Sequence, residues 1–355
     1  MEKSSEFDIL RAVGTVAVVV IHTTSIFGTF NGTSMSYLIF GTINKICNFA
    51  VPLFLFLSVL LLVRKHINDE KFETLKFYKR RFLKTLPLYL FYVILYYFYL
   101  RFIGVELIPF SEKPIDFFAN YILQGSIFYH LYFMPIIFQL YLLFPIIIKI
   151  AKAVKKISLP LLPNFFLSLS ALVFMQYLFQ LIHARYIWPH FQKPAIIIFT
   201  YLLPIGIGIW CALNYEKLKK SIHVGLAISV IAFISGYIFV HYSLFPTCSI
   251  HGLIFPLYTA TASVVLLYIS IFMSQKLGDF IKTFLLKISA YSFTIYLIHP
   301  LMLEIFMKFF KSISLTKYAL IDNSIYIFAS FVFTFGLSYL FASTTNYIKH
   351  LRQNR

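Results

Sequence analysis

The chain has few charged residues. Only 12% of its 355 residues are charged, whereas 60% are hydrophobic and 19% are aromatic. That is more apolar surface than one water-soluble core can bury, so the excess is expected to face lipid. Little remains outside the apolar stretches. We therefore expect residues 1–355 to form a single membrane domain without a separate soluble domain.

The sequence also lacks the motifs of several enzyme classes. Its three cysteines, Cys47, Cys211 and Cys248, lie far apart without a C-x-x-C pair, so neither a disulfide framework nor a zinc site is indicated. It contains no G-x-S-x-G elbow, no Walker loop and no metal-ligand spacing, which disfavours hydrolases, ATPases and metalloenzymes. We expect no bound metal and no resident cofactor.

Ten apolar stretches are long enough to cross a bilayer, since a spanning helix needs about 20 apolar residues. They lie near residues 7–27, 44–63, 86–104, 127–148, 161–182, 195–213, 222–241, 252–274, 286–310 and 323–346. The pattern predicts an all-α, polytopic membrane protein with about ten transmembrane helices. The first stretch lacks a small-residue cleavage site, so we expect a retained helix rather than a signal peptide.

The basic residues set the predicted orientation. Most of the 31 Lys and Arg fall in loops that are cytoplasmic when the amino terminus is inside, as the positive-inside rule requires. An even number of spans preserves this asymmetry, so both termini are predicted to be cytoplasmic. A net charge of +18 is also found in nucleic-acid-binding proteins. Here the cations recur in short loops rather than on one basic face, and we expect no nucleic acid partner.

The first span carries charged residues, which are costly inside a membrane and mark candidate functional sites. Arg11 and His22 are separated by three helical turns plus about 20°, so they share one helix face. Asp8 can pair with Arg11 three residues later, and Thr15 continues the stripe. A buried imidazole tends to stay neutral, the form that a general base requires. Alternatively, Asp8 and Arg11 are interfacial anchors and His22 is a packing residue.

A basic block precedes the third span. Arg80, Arg81 and Lys84 lie just ahead of Pro87, whose position predicts the start of a helix. Guanidinium forks suit phosphate oxygens, so a nucleotide-bearing donor can dock here. The alternative is a positive-inside loop that contacts anionic lipid.

Two further polar groups occur in later spans. His130 and Tyr132 open the fourth span at the outer face, and an aromatic belt explains Tyr132 but not His130. Ser292, Tyr296 and His299 give the ninth span a hydroxyl-rich face with a second intramembrane histidine. Polar packing between helices is the alternative to a functional role.

Four sequence blocks together resemble the acyltransferase family 3 membrane proteins, which acylate carbohydrates of the bacterial envelope. The blocks are D-x-L-R with R-x(10)-H from Asp8 to His22, R-R-x-x-K-x-x-P from Arg80 to Pro87, H-L-[WY]-F from His130 to Phe133, and Y-L-I-H-P from Tyr296 to Pro300. They occur in the family's order and cover most of the chain. The layout also resembles the subgroup that includes the membrane component of poly-N-acetylglucosamine intercellular adhesion.

The chain departs from the family pattern in three places. Val59 follows Ser58 where the family commonly has a glycine, Tyr132 replaces the usual Trp, and Lys84 replaces an Arg. These changes bear on local packing and donor geometry, not on His22.

The resemblance implies a membrane O-acyltransferase that moves a small acyl group, acetyl or succinyl, from cytosolic acyl-CoA to a hydroxyl of a surface polysaccharide or lipid-linked glycan. It implies that His22, Arg11 and Asp8 are catalytic, that Arg80, Arg81 and Lys84 bind the donor, and that His130, Tyr132, Ser292, Tyr296 and His299 line the acceptor side or tunnel. The implied location is the bacterial cytoplasmic membrane. Its partners there would be the lipid bilayer, the donor, the glycan and components of a polysaccharide synthase.

Two other functions fit a multi-span protein with a polar interior. A polysaccharide exporter or flippase predicts a continuous water-filled path, whereas acyl transfer predicts a narrow acyl tunnel that ends at His22. A sensor or scaffold for glycan synthesis predicts that replacing His22 with Ala leaves function intact.

Overall fold

The computed structural model describes residues 5–25, 34–156, 161–182, 197–244, 251–309 and 320–353. These ranges contain helices and no strand, which confirms the all-α prediction. The α-helices are α1 (Ser5–Thr23), α2 (Met35–Cys47), α3 (Ala50–His66), α4 (Thr74–Phe102), α5 (Pro114–Phe117), α6 (Phe133–Val154), α7 (Leu161–Ile182), α8 (Leu202–Lys220), α9 (Ile222–Leu244), α10 (His251–Lys276), α11 (Asp279–Phe309) and α12 (Leu320–Gln353). Cys248 and the predicted span ends at 26–27, 195–196 and 310 lie outside the described residues.

Eight helical stretches among the described residues are long and apolar enough to cross a membrane. They coincide with eight of the predicted spans. The helices α1 and α7 lie at the other two predicted spans, 7–27 and 161–182. The chain is therefore a multi-pass membrane protein.

Three helix boundaries differ from the predicted spans. Helix α4 begins at Thr74, so the basic block is helical and Pro87 lies inside the helix; the prediction that Pro87 starts it is wrong. Helix α6 begins at Phe133, so His130 and Tyr132 precede the helix instead of opening it. Helix α2, of 13 residues, was not predicted; Ser34 Oγ caps it by accepting from the Tyr37 backbone N–H at 3.3 Å.

The chain divides into two compact units. The first consists of Met1–Ser58 and Asn214–Arg355, and the second of Val59–Leu213. Helices α3 and α8 each pass from one unit into the other. The first unit contains the predicted catalytic residues, and the second contains the basic block. That the whole chain acts as one membrane domain remains a prediction.

In the first unit, α1 packs against α2, α10, α11 and α12. Val19 of α1 and Ile295 of α11 belong to one buried apolar cluster. Gly14 leaves room for side chains of α3, since a Cβ there would lie 3.2 Å from the Leu53 Cδ2 atom. This packing holds the polar stripe of α1 against α11.

In the second unit, α4 packs against α6 and the preceding π-helix (Phe118–Leu123). The Tyr89 hydroxyl of α4 donates to the Ile122 carbonyl at 2.7 Å. Phe77 of α4 stacks on Phe144 of α6 with ring centroids 5.0 Å apart. The Phe77 contact holds the first turn of α4 and the Tyr89 contact holds its middle, and the basic block lies between them.

Candidate active site

The first helix carries the predicted ion pair. Arg11 Nη1 lies 2.9 Å from Asp8 Oδ1, so the predicted pairing is confirmed. Thr15 Oγ1 donates to the Arg11 backbone carbonyl at 2.8 Å, so its hydroxyl serves the helix backbone rather than extending the polar stripe. His22 follows at the C-terminal end of α1.

Helix α11 presents a second polar stripe. Ser289, Ser292, Tyr296 and His299 recur at intervals of three and four residues, which places them within an arc of about 80° on the helix. All four side chains are buried. Ser289 was not predicted as a site residue, although its position three residues before Ser292 puts it on the same face.

The two stripes meet first at the ion pair. Arg11 Nη1 donates to Ser289 Oγ at 3.1 Å, and Ser289 Oγ donates to Asp8 Oδ1 at 2.7 Å. Three polar side chains from two helices therefore share one set of hydrogen bonds. No sequence spacing relates residue 289 to residue 8, so only the packing of α1 on α11 reveals this contact.

The stripes meet again at two histidines. The ring centroids of His22 and His299 lie 5.1 Å apart with the planes inclined by 34°. His299 Nδ1 lies 2.8 Å from the Tyr296 carbonyl oxygen and 3.1 Å from that of Ile295. Because a carbonyl only accepts, Nδ1 carries a proton, and when the ring is neutral Nε2 bears a lone pair.

These contacts define a polar seam between α1 and α11, with Asp8, Arg11 and Ser289 at one end and His22 and His299 at the other. The eleven residues from Arg11 to His22 correspond to about 16 Å along the helix axis. At the ion-pair end lies a cavity of about 200 Å³ that Asp8 lines. The seam thus joins a charged end, with an adjacent cavity, to an imidazole pair in which His299 is buried and His22 is half-buried.

The second unit contains a basic cavity of about 290 Å³ at the C-terminal end of α3 and the first turns of α4. Its cationic lining residues are Lys65, Lys71, Lys76, Arg80 and Arg81. The two acids that line it are engaged: His66 Nδ1 lies 2.6 Å from Asp69 Oδ2, and Lys76 Nζ lies 2.9 Å from Glu73 Oε2. The cavity is therefore suited to an anion with several charges.

The three predicted donor residues differ in their exposure and in whether they line the basic cavity. Arg81 is half-buried, with its guanidinium carbon 5.6 Å from the Phe77 ring centroid and 5.7 Å from that of Tyr141. Arg80 is exposed but also lines the basic cavity. Lys84 is exposed and is not among the lining residues. The cavity thus brings together two of the three predicted donor residues.

The turns before α6 hold His130 and Tyr132 in the second unit. His130 is buried, and its ring packs edge-on against Tyr96 with centroids 5.3 Å apart. Gly125 has a φ of +63°, and a Cβ there would lie 2.7 Å from the Leu131 carbonyl oxygen. Only glycine suits this turn, which sets the path of the backbone toward His130. An acceptor-side role for His130 and Tyr132 remains a prediction.

Comparison with known proteins identifies the family. The chain matches the acyltransferase domain of acyltransferase family 3 over residues 4–343. No curated protein and no solved structure gives a significant match. The matched range includes the polar seam and the basic cavity. The chain therefore belongs to acyltransferase family 3 and is a multi-pass membrane acyltransferase.

Proposed function

We propose that the protein transfers a small acyl group from acyl-CoA to a hydroxyl of a bacterial surface polysaccharide or lipid-linked glycan in the cytoplasmic membrane. The polar seam carries this proposal. The alternative roles account for only part of the seam. Anchoring at the membrane interface would explain Asp8 and Arg11, but helix packing alone would not require His22 to lie beside a second, buried histidine. A seam with charged groups at one end and two imidazoles at the other fits a reaction in which a charged donor reaches into the membrane.

His22 acts as the general base in this mechanism. Its imidazole takes the proton of the acceptor hydroxyl as the oxygen attacks the thioester carbonyl. The new C–O bond forms, the C–S bond breaks, and the proton passes from His22 to the departing CoA thiolate. An ester and free CoA result, and His22 returns to its neutral form.

Arg11 orients the donor rather than stabilising charge at the reacting carbonyl. It lies about 16 Å from His22 along α1, too far for both side chains to contact one carbonyl. Its guanidinium is paired with Asp8 at the charged end of the seam. An extended donor arm along the seam would reach from Arg11 to His22.

His299 completes the base end of the seam. With its proton held on Nδ1 by two carbonyls, Nε2 is an acceptor that can orient His22 or the acceptor hydroxyl. Ser292 and Tyr296 supply hydroxyls on the same helix face for binding the sugar. These roles keep α11 on the acceptor side, as the resemblance implied.

The basic cavity supports a phosphate-bearing donor. Arg80 and Arg81 line it together with three lysines, and each charge-assisted hydrogen bond to phosphate contributes about 1.5–3 kcal/mol. Acetyl-CoA is the first candidate donor and succinyl-CoA the second.

Acyl transfer by the purified protein in nanodiscs tests the proposal. Labelled acetyl-CoA or succinyl-CoA is supplied with candidate surface glycans, and label on the glycan is measured. Wild type should transfer label, His22→Ala should lose at least about 100-fold in rate, and His241→Ala on α9 should match wild type. Equal rates for His22→Ala and wild type would remove His22 from the chemistry. Glycan transport into proteoliposomes without transfer from any donor would identify an exporter.

A further inference from the structure

Ser289 makes hydrogen bonds that no step of the proposed reaction uses. Its hydroxyl oxygen accepts from Arg11 Nη1 at 3.1 Å, and its proton is donated to Asp8 Oδ1 at 2.7 Å. A hydroxyl has one proton and two lone pairs, so both bonds form at once. Together with the ion pair of 2.9 Å, they link α11 to both charged side chains of α1.

Two other buried serines of the first unit bond differently. Ser263 donates to the Thr259 carbonyl of its own helix at 2.7 Å, and Ser235 donates to the Ile231 carbonyl at 2.7 Å. Such bonds satisfy the hydroxyl within the helix. The described bonds of Ser289 instead reach another helix and end on an ion pair.

The ion pair requires such a fixed point. The Asp8 and Arg11 side chains are 20% and 31% exposed, and pairs this accessible to solvent hold their geometry weakly because water screens them. Ser289 is only 3% exposed and is carried by the rigid backbone of α11. It restricts the rotamers of a long guanidinium side chain that would otherwise have many.

The geometry points to Ser289 as the positioning residue for Arg11 in donor binding. The bonds to Ser289 and Asp8 both start from Nη1, whereas a guanidinium has five N–H donors, so Arg11 retains donors for the substrate. Leu286 and Ala290, close to Ser289 on α11, line the 200 Å³ cavity at this end of the seam. The inference rests on the proposed function, in which Arg11 orients the donor.

Steady-state kinetics of three serine variants test the assignment. Ser289→Ala should lower kcat/KM for the donor about tenfold, mainly through KM, because a hydrogen bond to a charged group is lost. The KM for the acceptor should not change. Ser289→Thr keeps the hydroxyl and should recover most of the loss, and Ser263→Ala should match wild type. In an Arg11→Lys background, Ser289→Ala should have little further effect, since it acts through Arg11.

Chemical modification of Arg11 gives a readout that does not depend on turnover. Phenylglyoxal modification is followed by peptide mass spectrometry, with the exposed Arg80 as the internal reference. Ser289→Ala should make Arg11 react several-fold faster than in wild type or Ser263→Ala. Equal Arg11 reactivity, or full donor kcat/KM in Ser289→Ala, would overturn the assignment. An absence of acyl transfer by wild type would instead count against the proposed function, and the reactivity of Arg11 would still decide the role of Ser289.

Discussion

Neutralising Arg81 is expected to weaken donor binding far more than neutralising Lys84. Arg81 is half-buried in the lining of the basic cavity, beside the rings of Phe77 and Tyr141, whereas Lys84 is exposed and lies outside that lining. A hydrogen bond from a partly buried cation to phosphate contributes about 1.5–3 kcal/mol, and an exposed ion pair contributes at most about 1 kcal/mol. These values convert to losses of about 10- to 150-fold for Arg81→Gln and at most about fivefold for Lys84→Gln.

Calorimetric titration of CoA into the protein in zwitterionic nanodiscs measures this difference. Arg80→Gln should fall between the other two variants, since Arg80 lines the cavity but is exposed. Raising the salt concentration should weaken CoA binding to wild type more than to Arg81→Gln, because one of the screened charges is already absent from the variant. Comparing the affinity for CoA with that for CoA lacking its 3′-phosphate tests whether the cavity distinguishes ligands by their number of phosphates.

Two results would refute this reasoning. Unchanged CoA affinity in Arg81→Gln, together with a large loss in Lys84→Gln, would move the donor site away from the cavity. Loss of binding to anionic lipid vesicles in Arg81→Gln, with CoA affinity intact, would identify the basic block as a membrane contact.

Three glycines give predictions about stability, measured as thermal unfolding in nanodiscs. Gly14→Ala should change stability by no more than about 1 kcal/mol, because a gain in helix propensity offsets a tight contact with the Leu53 side chain. Gly14→Leu should cost about 1–3 kcal/mol and lower acyl transfer, and equal effects of the two variants would contradict the tight packing of Leu53 on Gly14. Gly125→Ala should destabilise by about 3 kcal/mol or more, since it combines a positive φ with a clash against the Leu131 backbone. Gly104→Ala, with a φ of +85° but open space around it, should cost only about 1–2 kcal/mol, and a loss as large as that of Gly125→Ala would count against the clash.

Apolar run length located the membrane crossings but not the helix ends. Hydropathy indicates which part of a helix lies in lipid. The helix continues beyond the apolar stretch when the neighbouring polar residues have high helix propensity. Lys76 and Arg81 favour helix as much as most apolar residues do, so α4 extends back to Thr74. Pro87 was taken as a helix start because proline fits a first turn, but it is also tolerated inside spanning helices.

The charged part of the candidate site was predictable only where its partners lie on one helix. Asp8 and Arg11 are three residues apart, so helical geometry alone brings them together. The contacts of Arg11 with Ser289 and of His22 with His299 depend on which helices pack together, and no spacing encodes that choice. The same limit applies to the basic cavity, where Lys65 joins Arg81 only once α3 and α4 are folded.

The order of contacts along the seam also bears on topology. Asp8 meets Ser289 and His22 meets His299, so α1 and α11 run in the same direction. Helices that cross a membrane in turn alternate in direction, so parallel helices differ by an even number of crossings. If α1 is the first crossing and α11 the ninth, as predicted, the two differ by eight crossings and should be parallel. If α2 were a crossing of its own, they would differ by nine and should be antiparallel. Helix α2 is about 20 Å long, too short to span the bilayer, and Met35–His66 therefore makes a single crossing through α2 and α3.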